Sequence, residues 1–287
     1  MEFPISKQIL NSKLKYQNVL NLPKVIKRLT YYFRLWLLMS RNSFMITLSH
    51  KFLFFMFLTG KLLRFGFFAG FLFFLIKGSN SLAGYDLNQT IFFFLTFNLI
   101  DISSQFLFRE VYRFRPLVIS GDLDLILTKP MSCLFRVMMG GADFIDLTTV
   151  PLILTAVWYV GRFLNPTTLQ TTFYLLLIIN GLLIATAFHI AALSLGIITL
   201  EIDHTIMIYR DLTNLGRLPI DIYRQPLKGI LTFLIPVGVM ITLPARALMG
   251  LVSPVGVLLS FGLGILAFFV ALRFWNFALK NYTSASS

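Results

Sequence analysis

The chain has little charge. Lys, Arg, Asp and Glu together make up 13% of its 287 residues, about half the share found in an ordinary soluble domain. Such a deficit cannot cover a water-facing surface, so a soluble enzyme is excluded. Cysteine is nearly absent: the lone Cys133 cannot close an intrachain disulfide, and with His50, His189 and His204 scattered along the chain it makes no metal-ligand spacing. Acidic residues are scarce too, 12 against 25 Lys and Arg, which leaves a net charge of +13. No G-x-x-x-x-G-K-[ST] phosphate loop, G-x-S-x-G elbow or H-E-x-x-H helix occurs. The chain is therefore read as no enzyme, with no metal or cofactor of its own, and any energy source must come from another chain. A short apolar stretch of the kind that marks a secretory signal is missing from the first residues.

What is abundant is apolar surface: 57% hydrophobic residues, 31 of them Phe, and a mean hydropathy of +0.79. Apolar runs at roughly 52–76, 89–108, 138–161 and 170–199 are each long enough to cross a bilayer. Cations crowd ahead of the first run, with Lys24, Lys27, Arg28, Arg34 and Arg41 recurring after Asn21-Leu22-Pro23. At about 100° per residue these five share one helical face, and Val25, Leu29, Tyr32, Phe33, Trp36 and Leu37 lie mainly off it. This is the pattern of a basic amphipathic helix resting on the cytoplasmic leaflet, or of a charged face packed on a partner. The positive-inside rule then puts the N-terminus inside. It also puts the loop at 109–137 inside, with Arg109, Arg113, Arg115, Lys129 and Arg136. Residues 1–51 are expected to form a cytoplasmic tail and interfacial helix, and residues 52–287 the membrane domain.

Residues 200–250 admit two schemes. The charges between Glu201 and Lys228 suit a cytoplasmic loop, followed by spans at 229–250 and 254–276. Yet Pro236 and Pro244 cut the 229–250 run into pieces too short to cross. That suits a re-entrant hairpin, and the polar stretch at 204–223 then becomes the fifth span. Either scheme gives six spans and an inside C-terminus.

Within the inside loop, Ser120-Gly121-Asp122-Leu123-Asp124-Leu125 opens a short helix. Ser120 is placed to cap it, Asp122 and Asp124 lie in its first turn, and Lys129-Pro130 close it. Such a helix can dock on a partner or be an ordinary interfacial turn. Ionisable residues inside spans are rarer: Lys61 and Arg64 share one face of the first span and Asp101 sits in the second. An unpaired charge at mid-membrane costs about 2.5 to 3.5 kcal/mol. Asp101 is thus expected to neutralise Lys61 or Arg64 between helices, or the three line a polar path.

The run through Phe97-Asn98, Asp101, Phe108-Arg109, Tyr112-Arg113-Phe114, Gly121-Asp122-Leu123-Asp124, Lys129-Pro130 and Asp143 resembles the permease subunits of type 2 ABC exporters. A second block is also similar: Asp203-His204, Tyr209-Arg210-Asp211, Gly216-Arg217, Pro219, Asp221-Ile222-Tyr223, Ile235-Pro236 and Pro244-Ala245. The ending Lys280 to Ser287 matches the same branch. The resemblance implies an all-α polytopic membrane protein with six spans, the last at 254–276, and an N-terminal interfacial helix. It implies a coupling helix over 120–128 and a re-entrant hairpin over about 228–249, which contains Pro236 and Pro244. It further implies a second permease subunit, identical or sister, and two cytoplasmic ATPase subunits that carry ATP and Mg, with membrane lipids around them and no nucleic acid. The setting is the cell inner membrane. A secondary transporter or a structural scaffold is the alternative class.

Overall fold

The computed structural model describes residues 22–199 and 202–283, and among these it holds helices and no strand. Of the expected tail and interfacial helix at 1–51, residues 1–21 lie outside the described residues, as do 284–287 at the end of the C-terminal match. Five helices are long and apolar enough to cross a membrane, and one bent pair passes the same test together. The chain is a multi-pass membrane protein.

Helix α1 (Leu22–Ser49) runs almost without interruption into α2 (Lys51–Ser79) through His50. Lys27, Arg28, Arg34 and Arg41 are exposed on α1, while Tyr32, Trp36, Met39, Ser40, Ser43 and Phe44 turn inward at helical spacing. Helix α2 is the least embedded: of its 29 residues only Phe54, Leu72 and Ile76 are buried. Helix α3 (Leu87–Phe108) is the opposite, with an unbroken buried run from Phe92 to Ile100. Its start is fixed by a capping box, in which Asp86 accepts from the Gln89 amide at 2.8 Å and Gln89 returns the bond at 3.0 Å.

After α3 come a 3-10 turn (Arg109–Arg113), α4 (Phe114–Ile119), α5 (Asp122–Thr128) and α6 (Cys133–Met139), then α7 (Phe144–Arg162). The expected third span at 138–161 is therefore corrected, since it begins at Phe144. Gly140 and Gly141 end α6, and Asp143 caps α7 by accepting from the Ile145 and Asp146 amides. Helix α8 (Thr168–Thr199) packs along the last span, α12 (Pro254–Lys280). Gly264 of α12 is what lets the two approach: a Cβ there would lie 2.1 Å from Asn180 Oδ1 of α8. Asn180 Nδ2 donates across the same contact to the Ser260 carbonyl at 3.0 Å and to its hydroxyl at 2.8 Å.

Between them lie α9 (Ile202–Asn214), two 3-10 turns (Leu215–Arg217 and Ile220–Ile222), and two helical arms, α10 (Leu227–Leu234) and α11 (Gly238–Leu248), bent by 76°. A continuous helix over 204–223 is not what forms. The helix stops at Asn214, because Pro219 forces Leu218 into extended backbone and removes a donor.

Two sets of contacts fix the course of this region. The end of the bundle that holds α4 to α6 is called the near end, and the end that holds the 80–86 loop the far end. Asp203 pairs with Arg115 of α4 at 3.0 Å, whereas Asp221 accepts from Tyr85 of the 80–86 loop at 2.8 Å. Residues 203 to 221 thus run from near end to far end. Lys228 and Arg246, at the outer ends of α10 and α11, both face Asp221 Oδ1, at 2.8 and 3.9 Å. The pair of arms consequently leaves the far end and returns to it, with Pro236 at the bend and Pro244 inside the second arm.

Candidate functional site: a docking helix and its charged supports

Helix α5 is short, and its sequence explains how it sits. Leu123 and Ile126 are buried in the cluster that includes Val118, Val137, Trp275 and Ala278, so one face is anchored to the ends of the spans. Asp122 and Leu125 point the other way, Leu125 being 62% exposed. The expectation that the helix begins at Ser120 is corrected. Gly121 occupies the cap position with φ +78°, a conformation that disfavours a side chain, and the helix starts at Asp122. The Ser120 hydroxyl instead donates to Asp122 Oδ2 at 2.7 Å. Asp122 and Asp124 are also not equivalent. Asp122 faces solvent, while Asp124 lies beside Tyr282, where burial and the Asp124 carboxylate push the phenol up to about 12.

The loop that carries α5 is clamped by α1. The Ser132 amide donates to the Tyr32 hydroxyl at 3.1 Å and the Ala142 amide to the Ser40 hydroxyl at 3.2 Å, while the rings of Trp36 and Phe106 meet edge to face. Ion pairs complete the support. Arg136 donates to Glu110 at 2.7 Å, Arg113 lies 3.8 Å from the same carboxylate, and Arg109 lies 3.1 Å from Asp143.

Of the three expected intramembrane charges, none pairs as anticipated. Lys61 bonds to Asp146 in the first turn of α7, where Asp146 is buried and Lys61 largely so. Asp101 is not its partner, because Asp146 reaches Lys61 at the near end. Arg64 has no carboxylate within ion-pair distance among the described residues; its guanidinium lies over the Phe65 ring. Asp101 belongs to a different group, in which Arg217 lies within electrostatic reach of Arg64, Asp101 and Arg210 and its guanidinium stands 5.6 Å from the rings of Phe68 and Phe97.

Sequence reasoning missed Asp146, Glu110 and Asp221. Asp146 carried one signal, a carboxylate three residues after a capping Asp at the mouth of a span. No motif pointed to Asp221, whose partners lie 136 residues upstream and 7 and 25 residues downstream.

The family model described as ABC-2 family transporter protein matches residues 62–286, which take in every one of these elements except α1 and the start of α2. The chain belongs to the ABC-2 transporter family. It is a membrane permease component of an ABC transporter, and the family's catalytic work is not done in this component. No curated protein and no solved structure matches the permease.

Proposed function

We propose that the permease is the membrane half of an exporter driven by two ABC ATPase subunits, which bind ATP and Mg, and that it works as a dimer with an identical or sister permease. The observation that carries this reading is the geometry of α5 within a family member. A helix with one face locked to the spans and the other facing solvent transmits a push from a partner to the bundle. Asp122 and Leu125, with the neighbouring Ile119, offer the partner a mixed acidic and apolar surface.

The near end is the cytoplasmic end in this reading, with both termini there and α1 on the inner leaflet of the cell membrane. The basic loop supports it. Residues 203–221 are the fifth crossing, and α10 with α11 form a re-entrant hairpin from the outside. Its π-helical turn at Gly238–Thr242 is irregular backbone tolerated where protein covers it, and Val237 to Thr242 are buried, whereas the turn at Ile230–Leu234 buries only Leu231. Lipid surrounds the exposed Phe and Leu faces of α2 and α12.

Affinity purification of the tagged full-length permease in lipid, followed by mass spectrometry, tests the reading. An ATPase with a phosphate loop should co-purify, and Asp122→Lys together with Leu125→Arg should release it while the permease stays folded. Purification without any ATPase, or an ATPase indifferent to both substitutions, would contradict the reading.

A further inference from the structure

The charges around Lys61 do more than brace helices. Between α1, α2, α3 and the start of α7 lies a cavity of about 510 Å³ at the near end of the bundle. Four cations reach its wall, Lys61, Arg64, Arg109 and Arg113, against two carboxylates, Asp143 and Asp146. Those carboxylates are taken: Asp146 by Lys61 and Asp143 by Arg109. The remaining cations are under-compensated. Glu110, the acid nearest Arg113, is held more closely by Arg136, at 2.7 against 3.8 Å, and Arg64 has no carboxylate within ion-pair distance among the described residues. The cavity therefore carries a surplus of about two positive charges on guanidinium groups, whose planar donor forks suit the paired oxygens of a phosphate or carboxylate.

The rim is of the opposite character. Leu53, Met56 and Phe57 of α2 line the same cavity, and each is exposed on the outside of the bundle. Phe52 and Phe55 continue that apolar surface. A small soluble anion would use the guanidinium groups and gain nothing from these side chains. A molecule with an acidic head and an apolar tail uses both, the tail leaving along α2, whose surface is left open among the described residues.

We propose that this cavity is a binding site for the headgroup of an anionic amphiphile of the membrane, received by Arg64 and Arg113 with the tail lying along Leu53, Met56 and Phe57. The site is independent of any ATPase and goes beyond the transport reading. Native mass spectrometry of the full-length permease in a neutral detergent tests it, with short-chain phosphatidylglycerol, short-chain phosphatidylcholine and inorganic phosphate titrated separately. Phosphatidylglycerol should bind saturably and at least about tenfold more tightly than either other probe. Arg64→Gln with Arg113→Gln should weaken it by about tenfold or more, and Lys77→Gln, which removes a cation from the far part of α2, should leave it unchanged. Arg64 is exposed, so Arg64→Gln alone preserves the readout should the double variant fail to fold. Equal binding of the two lipids would show that headgroup charge is not read, and phosphate binding as tight as phosphatidylglycerol would show that the tail is not. Either result, or unchanged binding in the Gln variants, overturns the proposal.

Discussion

The two ends of the bundle are held together in different ways. At the near end six elements are joined by four separate pairs, from the largely buried Lys61–Asp146 contact to the exposed Arg115–Asp203 contact. At the far end one carboxylate, Asp221, gathers the 80–86 loop and both arms of the hairpin through Tyr85, Lys228 and Arg246. The near end spreads its load over several contacts, and the far end concentrates it on one residue. Burial, however, ranks the contacts differently from the number of partners, because an ion deprived of its partner costs most where water cannot reach it.

The largest effect should thus come from the near end. Lys61→Met leaves Asp146, whose side chain is only 4% exposed, without its cation, and should destabilise the permease by about 3 kcal/mol. Adding Asp146→Leu should recover most of that loss, and a double-mutant cycle of thermal unfolding in detergent measures it. The same cycle run on Lys61 with Asp101 should return a coupling near zero. A large coupling there would restore the pairing first expected from sequence.

Next comes the far-end node. Asp221→Ala strips the acceptor from Tyr85 and Lys228 at once and should cost about 2 kcal/mol, reduced from the buried case because the site is partly wet. Lys228→Ala should cost less than about 1 kcal/mol, since Tyr85 and Arg246 still hold the carboxylate. If the two substitutions cost the same, Asp221 is not a shared node. Smaller again is Arg115→Ala, whose pair with Asp203 is about half exposed on both sides, so about 0.5 kcal/mol or less is expected.

A further effect is one of pH. Burial first, then the hydrogen bond it gives Asp221, pushes the Tyr85 phenol from 10.0 up to about 12. Ionisation is harder in the folded chain than in the unfolded one. Its contribution is therefore fully present below pH 10 and is lost as pH rises through about 12. Unfolding temperatures compared at about pH 8 and about pH 11 should fall less in Tyr85→Phe than in the unmodified permease. Identical slopes would mean that Tyr85 contributes nothing to this end.

The sequence made one kind of feature legible and hid another. Apolar runs and a capped turn are local, so the spans and α5 could be placed from composition, Asp122, Asp124 and Pro130. Breaks inside an apolar average were hidden: Gly140 and Gly141 vanish in the hydropathy of 138–161, although they delay the third span to Phe144. Pairing was hidden as well, because Lys61 meets a residue 85 positions away and the nearest acid by helix counting, Asp101, was the wrong one. The course of 203–221 was hidden by its own polarity. Arg210, Asp211 and Arg217 look like a loop until Arg217 is seen between the rings of Phe68 and Phe97.

The whole comparison depends on the near and far ends lying on opposite sides of the membrane, with 203–221 crossing and the hairpin re-entering. Thiol labelling in a Cys133→Ser background tests this directly, using single cysteines introduced by Arg224→Cys, exposed beside the hairpin, and Leu125→Cys, exposed on α5. An impermeant reagent added to intact cells should label position 224 and spare position 125 until the membrane is opened. Labelling of position 224 only after opening would place Asp221 and both hairpin ends in the cytoplasm and contradict the account.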